Sequence, residues 1–489
     1  MDELRRLLAR ERQAEFERQA QRSRLARAGR AAAKARPGHT AAAARRVRRP
    51  PVCAHLQGGG GLHQIAASMS PGLSRELWLV EIGVFLNMLG YGAVLPFEII
   101  YLHDGRGFSL GVAGLVVGTL TGVAVAVAPL SGPLIDRFGA RVITVGAGAA
   151  LAAGYAALAL AHSPAQAFAA AALAGAGNGA LNPSQSTLIA TLAPADRRHR
   201  ATAISRAAGN AGIGIGGALG GLVAAYGLRG FMALFLLNAL TYLVYVCVLV
   251  TVVREVARPE RIRGGYRLVA RDRAFIHLAI TEVALIAVGW GVFTWLVPPY
   301  ARNEIGISTP LIGLLLLANA ATVTVAQLPV ARIAEGRRRV VLMALAGAIF
   351  GGACLLVAAA GAARGGGAAG GGGAAPSAAY PVLVAAAIAV GVGECCYTTA
   401  LMPLVAELAP ASLRGRYMAV SGLAWWTGLA IAPTLGTQLL SRSPTAVFLV
   451  AAVVAVAAGA SVLTLERRLP AGARLTPRPR SGSGSSMVR

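Results

Sequence analysis

Long apolar runs dominate the chain, and each ends at a short polar stretch before the next begins. A helix needs about 20 apolar residues to cross the hydrocarbon core of a bilayer. Runs of that length predict helices near 75–101, 109–131, 141–161, 165–193, 201–225, 230–253, 274–300, 309–331, 339–360, 379–407, 417–440 and 445–464, twelve spans in all. The short alternating segments of a membrane β-barrel are not found. No cleavable leader is expected ahead of the first run, because the opening residues are basic and lack a suitable apolar core; Met69 stands just before that run as an alternative start.

A second pattern overlies the first. Spans 3, 6, 9 and 12 are almost wholly apolar, span 9 reading "VVLMALAGAIFGGACLLVAAAG", whereas spans 1, 4, 7 and 10 hold the polar residues. In span 4, Asn178, Asn182 and Gln185 fall on one helical face; Asn87 and Tyr91 do so in span 1, and Glu394 and Thr398 in span 10. One helix of each triplet is therefore expected to line an aqueous path and one to face lipid. The plainer reading of any single Asn or Thr is interhelical hydrogen bonding.

The sequence also repeats. "LAPADRRHRATAIS" (192–205) matches "LAPASLRGRYMAVS" (408–421) at eight of fourteen positions, at an offset of 216. At the same offset "GAGNG" (175–179) lies over "GVGEC" (391–395), and Gly212, Gly217 and Gly220 lie over Gly428, Pro433 and Gly436. Spans 4–5 thus correspond to spans 10–11, and six helices correspond to six. The most polar segment between spans, 254–273, divides them. The expected organisation is a basic, disordered tail (1–74), a six-helix bundle (75–253), a central loop (254–273), a second bundle (274–465) and a basic tail (466–489). Residues 361–379 read as a flexible external loop. Parallel duplication of this kind is a transporter architecture with its site at the midplane, between the halves.

Composition and charge sharpen the class. Residues are 56% hydrophobic and 13% charged, far from the balance of a soluble protein of 489 residues. The net charge of +26 does not indicate nucleic acid, because 40 of the 46 Lys and Arg residues fall in the two tails and alternate loops. That asymmetry places both termini in the cytoplasm of a plasma membrane. Abundant Arg, Ala and Gly fit a GC-rich coding sequence and a bacterial inner membrane. Lys34, preceded by Ala33, is the only lysine, so no Gly-Lys phosphate loop exists. Cys53, Cys247, Cys354, Cys395 and Cys396 make no metal-ligand spacing, and the histidines are scattered. Neither a nucleophile–base cluster nor a metal set appears. No cofactor or enzyme activity is expected.

Between spans 2 and 3 lies "SGPLIDRFGARVITVG" (131–146). Gly132, Leu134, Asp136, Arg137, Gly139 and Arg141 match G-x-L-x-D-R-x-G-x-R at every position, the signature loop of the major facilitator superfamily. The resemblance covers residues 75–465 and neither tail. It implies an all-α membrane protein of twelve helices in two pseudo-symmetric bundles, a cavity lined by spans 1, 4, 7 and 10, and alternating access by rocking of the halves. It further implies a cytoplasmic latch, in which Gly132, Asp136, Arg137, Gly139 and Arg141 hold the halves together in the outward-facing state, with Asp136 near the N-terminus of span 11. The plainer reading is a basic loop that only orients the chain. In span 5, "GNAGIGIGGALGG" (209–221) resembles the antiporter motif of the drug-efflux branch through Gly212, Gly216, Gly220 and Gly221; Gly217 stands where that branch has proline. Close packing of small residues explains the same run.

Ionisable residues inside spans are functional candidates by default. Glu394, mid-span in span 10, is the leading proton carrier, since desolvation favours the neutral form of a carboxyl. Arg206, also a proton-coupling candidate, either pairs with a carboxylate or snorkels outward. Glu81 and Glu282 are further proton-coupling candidates or partners of cytoplasmic arginines. Tyr91, Trp290, Trp295, Trp425 and Trp426 are the aromatics available to an apolar substrate, and Glu98 and Glu304 are candidates for an external entry funnel. The expected function is proton-driven export of an amphipathic small molecule or drug by a monomer, with the substrate, protons and the bilayer as its partners. A proton-coupled nutrient importer is the first alternative, and a membrane scaffold or sensor the second.

Overall fold

The computed structural model describes residues 73–194, 197–253, 266–365, 376–410, 413–469 and 474–476. The expectations for 1–72 (with Met69 and Cys53), for 254–265, for 366–375 and for 477–489 lie outside the described residues.

Every span forms a helix. The long helices are α1 (Arg75–Gly105), α2 (Leu110–Phe138), α3 (Ala140–Leu160), α4 (Pro164–Leu192), α5 (Arg198–Ala224), α6 (Leu228–Thr251), α7 (Arg273–Ile305), α8 (Thr309–Ala334), α9 (Arg339–Gly365), α10 (Pro376–Leu408), α11 (Gly415–Arg442) and α12 (Ala446–Leu465). Among the described residues, 11 helices are long and apolar enough to cross a membrane. The remaining long helix is α4, whose Gln166, Asn178, Asn182 and Gln185 dilute its hydropathy. In a bilayer a helix meets all its own backbone hydrogen bonds, which is why apolar runs of this length take no other form.

Polar residues just outside the spans set where helices begin. Ser74 accepts from Leu77 N at 3.2 Å to cap α1. Ser163 and Gln166 form a reciprocal capping box on α4. Asp272 Oδ1 accepts from the backbone of Ala274 (3.0 Å) and Phe275 (3.1 Å) to cap α7, and its Oδ2 accepts from Tyr417 of α11 at 2.8 Å. Among the described residues, four segments have the wide turns of a π-helix: Tyr101–Gly105 in α1, Ala287–Leu296 and Ala301–Ile305 in α7, and Ala432–Gly436 in α11.

The stretch expected as the loop between spans 2 and 3 is not a loop. Helix α2 continues to Phe138 and α3 starts at Ala140, so the turn is made at Gly139 alone, at φ 91° and ψ 151°. Only glycine occupies that backbone region readily. Gly132 lies inside α2, and open space surrounds the position its Cβ would take. The external loop expected over 361–379 is likewise shorter, because α9 runs to Gly365 and α10 starts at Pro376.

Packing follows the order of the helices. Among the first six, α1 lies against α5 and α6, α3 against α4 and α6, and α2 against α4. Among the last six, α9 lies against α10 and α12, α8 against α10, and α7 against α11 and α12. The two sets meet chiefly through α5 with α8 and α2 with α11. Arg137, Arg141, Arg198, Arg339 and Arg416 mark one end of the helices, called the basic end below. Asp104, His162, Arg302 and Arg442 mark the far end. At the basic end Arg339, fully buried, pairs with Glu407 at 2.7 Å. There too residues 474–476 lie against the α8–α9 turn: Gly336 N donates to Thr476 O (3.2 Å) and Thr476 N to Arg337 O (3.0 Å).

The glycines of α2 and α11 show where these two helices approach each other. On α2, a side chain at Gly111 would meet Gln438, at Gly114 Thr437 and Pro433, and at Gly118 Thr434. Further toward the basic end, Gly122 and Gly132 of α2 and Gly415 and Gly422 of α11 have no neighbour within reach of a Cβ. The two helices therefore touch at the far end and part toward the basic end.

Candidate functional site

Four carboxyls lie buried inside spans, Glu81, Glu98, Glu282 and Glu394, and three of them are the expected proton-coupling candidates. Glu81 of α1 accepts from Ser205 Oγ of α5, 2.6 Å from both of its oxygens. Glu282 of α7 does the same with Ser421 Oγ of α11, at 3.0 and 2.9 Å. A serine has one hydroxyl hydrogen, so it is shared between the two oxygens. Glu394 of α10 accepts from Asn319 Nδ2 of α8 at 3.2 Å. None of the three has an ion-pair partner among the described residues. Glu81 and Glu282 are thus held by neutral hydroxyls, and the expected pairing with arginines is corrected.

Ser205 and Ser421 are the last positions of the repeated fourteen-residue segment, one over the other. The two Glu–Ser contacts are therefore related by the duplication. The signal was present in the repeat, but the earlier helices that supply the glutamates show it only once the chain is folded. Asn319 and Gln327 of α8 were also missed. Thr398 Oγ1 donates to Gln327 Oε1 at 3.3 Å, and Gln327 Nε2 to Thr399 Oγ1 at 3.3 Å, so α8 contributes polar groups beside α10.

The expected cavity-lining residues divide. Asn182 is exposed, while Tyr91, Trp290 and Thr398 are partly buried. Asn178 and Gln185 are buried, with Asn178 Nδ2 and Gln185 Oε1 lacking a hydrogen-bond partner among the described residues. Asn87 is fully buried and neither of its amide atoms is paired among those residues, so it does not line an open surface. Trp290 packs edge-on against Trp425 of α11, centroids 4.8 Å apart, while Trp426 is buried. Arg206 is exposed and has no carboxylate partner among the described residues, which removes the pairing option.

The signature residues are not joined to one another. Arg141 donates from Nε to Leu249 O (3.0 Å) and from a terminal nitrogen to Val250 O (2.8 Å). It thereby satisfies carbonyls at the end of α6, where a cation is also favoured by the helix dipole. Arg137 is exposed and stacks on Phe138, 5.1 Å from the ring centroid. Asp136 is half-buried and makes no hydrogen bond or ion pair among the described residues. The implied latch to α11 is not made in this conformation.

The glycine run of α5 has two faces. Side chains at Gly212, Gly216 and Gly220 would strike α1, at Met88, Leu89 and Ala93. Side chains at Gly214, Gly217 and Gly221 would strike α8 instead: a Cβ at Gly217 would lie 3.0 Å from Leu316 Cβ, and one at Gly214 2.6 Å from Ala320 Cβ. One face joins helices of the first six, and the other joins the two sets.

Glu98 is not part of an open funnel. It is 2% exposed, and its Oε2 accepts from Trp295 Nε1 of α7 at 3.0 Å. Its Oε1 accepts from Tyr155 of α3 at 3.3 Å. Glu304, by contrast, is exposed.

This arrangement, long apolar helices with buried uncompensated carboxyls and a seam closed at one end, is that of a membrane transporter. Residues 80–296 and 282–487 both match the family model of the Major Facilitator Superfamily, and the chain belongs to that family. It is a multi-pass membrane transporter of small molecules, not an enzyme. A relative in Bacillus subtilis, the uncharacterized MFS-type transporter YttB, is 26% identical over 76% of this chain and 89% of its own length. The multidrug resistance protein MdtH of Aeromonas salmonicida is 25% identical over 56% of this chain and 68% of its own. Among solved structures, the peptide transporter POT superposes with a TM-score of 0.65 at 19% identity, over 83% of this chain and 98% of that one. The nucleoside transporter NupG does so with a TM-score of 0.65 at 13% identity, over 80% and 100%. At these identities the two structures speak for the fold alone.

Proposed function

We propose that the chain exports an amphipathic small molecule in exchange for protons, acting as a monomer with both termini in the cytoplasm. The observation that carries the reading is Glu394. It is a carboxyl buried mid-span, held by one neutral amide and facing no cation. Such a group exchanges a proton without breaking an ion pair, and structural needs alone would be met more cheaply by an apolar residue. Proton binding at Glu394 and substrate binding compete, and the competition couples the two fluxes. Glu81 and Glu282 sit in the same kind of environment and are secondary carriers. The similarity to MdtH supports the drug-efflux branch.

With the basic end in the cytoplasm, the far end is external, and the conformation is inward-facing. An inward-facing state accounts for the free Asp136, because the implied latch belongs to the outward-facing one. The buried amides of Asn178 and Gln185 and the Trp290–Trp425 pair offer polar and aromatic contacts to a substrate entering from the basic end.

The test is transport in proteoliposomes with an imposed pH gradient. The wild type should drive a lipophilic cation against its gradient as protons run down theirs. Glu394→Gln should lose at least 90% of that driven flux while retaining substrate binding. Driven flux that survives the substitution unchanged removes Glu394 as carrier, and uptake in the direction of proton flow would establish an importer instead.

A further inference from the structure

Glu98 has no part in the coupling described above, yet it is placed where the two sets of helices meet. It lies on α1, beside the wide turn at Tyr101–Gly105. Its two donors come from opposite sides of the seam: Tyr155 from α3 and Trp295 from the wide-turned stretch of α7. Around it are apolar and aromatic side chains. Phe97 is fully buried, Tyr155 stacks parallel to Tyr242 at 6.1 Å, and Leu296, next to Trp295, fills the space beside Gly436.

Among the described residues, three other polar contacts cross the seam at the far end, and each is weaker. Gln438 Nε2 donates to Gly111 O at 3.0 Å, a neutral, partly buried bond. Asn303 reaches Asp104 at 3.4 Å, and Arg302 reaches the same carboxylate at 3.9 Å. The last two are solvent-exposed, and exposed contacts of that kind contribute little. The Glu98–Trp295 bond is buried, and both oxygens of its acceptor receive donors, the pattern of an ionised carboxylate, so it is the strongest of the four.

We infer that Glu98 and Trp295 form a bolt across the far-end gate, and that the carboxylate also keeps the gate from closing irreversibly. The inference rests on the alternating-access part of the reading above. An apolar gate packed on glycine faces gains nothing from opening. Burying a carboxylate in it costs desolvation, and one hydrogen bond from across the seam offsets much of that cost. With the bond in place the gate stays shut. When the helices part, the indole is lost and water replaces it, so Glu98 recovers its solvation in the open state. Trp295 is thus a positioning residue for the closed state, and Glu98 sets the balance between the two states.

A double-mutant cycle read by distance tests this. Spin labels at His162→Cys and Arg442→Cys report separation across the far end, on a background without native cysteines, in detergent and without substrate or gradient. Trp295→Phe should raise the population of the long distance about tenfold, the size expected for losing a hydrogen bond to a buried charged group. Glu98→Gln keeps an acceptor and removes the charge, so its closed population should equal or exceed the wild type's. In the Glu98→Gln background, Trp295→Phe should raise the long distance less than threefold, because no buried charge is left unpaired. A Trp295→Phe distribution like the wild type's, or an equal response in both backgrounds, overturns the proposal. Because this readout needs no proton flux, its failure leaves the export reading standing, and an inactive Glu394 assay leaves the bolt untouched.

Discussion

Among single residues, Gly139 and Arg141 turn the signature sequence into local structure, and neither does so by joining Asp136. Gly139 makes the whole α2–α3 turn at φ 91°, so Gly139→Ala should destabilise the protein by about 1–3 kcal/mol in thermal unfolding. Arg141 closes off α6. What remains of the motif is Asp136, which no contact explains in this conformation. The sequence pattern singles out Asp136, Arg137 and Arg141 equally, because a pattern of residue types carries no record of which bonds each makes. The carboxyls show the same limit. Glu81, Glu282 and Glu394 were evident as acids inside apolar runs, whereas Ser205, Ser421 and Asn319, which hold them, are ordinary polar residues on other helices.

Of the helices, α5 is the most informative, because its glycines serve two packing faces at once. Gly216 sits against Leu89 and Ala93 of α1, a contact within the first six helices that the proposed rocking would keep. Gly217 sits against Leu316 of α8, a contact between the two sets that the proposed rocking would break. Gly216→Val should therefore lower stability by overpacking, about 1–3 kcal/mol in detergent unfolding. Gly217→Val should leave stability nearer the wild type and instead lengthen the His162–Arg442 label distance. Equal loss of stability in both would mean that the two faces are not functionally distinct. The existence and length of α5 follow from its apolar content alone. The division of its glycines does not, since seven glycines in thirteen residues look alike until neighbouring helices are in place.

For the molecule as a whole, the far end is packed and the basic end is parted. Thr437, fully buried against Gly114, and Gly422, with open space around it, lie on the same helix. A cysteine at Gly422 should react readily with a water-soluble maleimide, and one at Thr437 should stay at least tenfold slower. Addition of a proton gradient or substrate that reverses the order would report the opposite-facing state directly. Comparable rates at both positions would be inconsistent with a seam closed at one end.

Span number, span length and the clustering of arginines at one end of the bundle are written along the chain. Each depends on local quantities: a run of apolar residues long enough for the bilayer, in which a helix satisfies its own backbone, and positive charge in alternate loops. Pairing depends on how each helix is rotated about its axis and which neighbour it faces. Spans rich in Ala, Gly and Leu are apolar almost all round, and lipid does not distinguish one apolar face from another, so the rotation is left to close packing and to a few interhelical hydrogen bonds. Those contacts, Ser205 to Glu81, Asn319 to Glu394, Trp295 to Glu98, join residues far apart in sequence, and they exist only after the helices have been brought together.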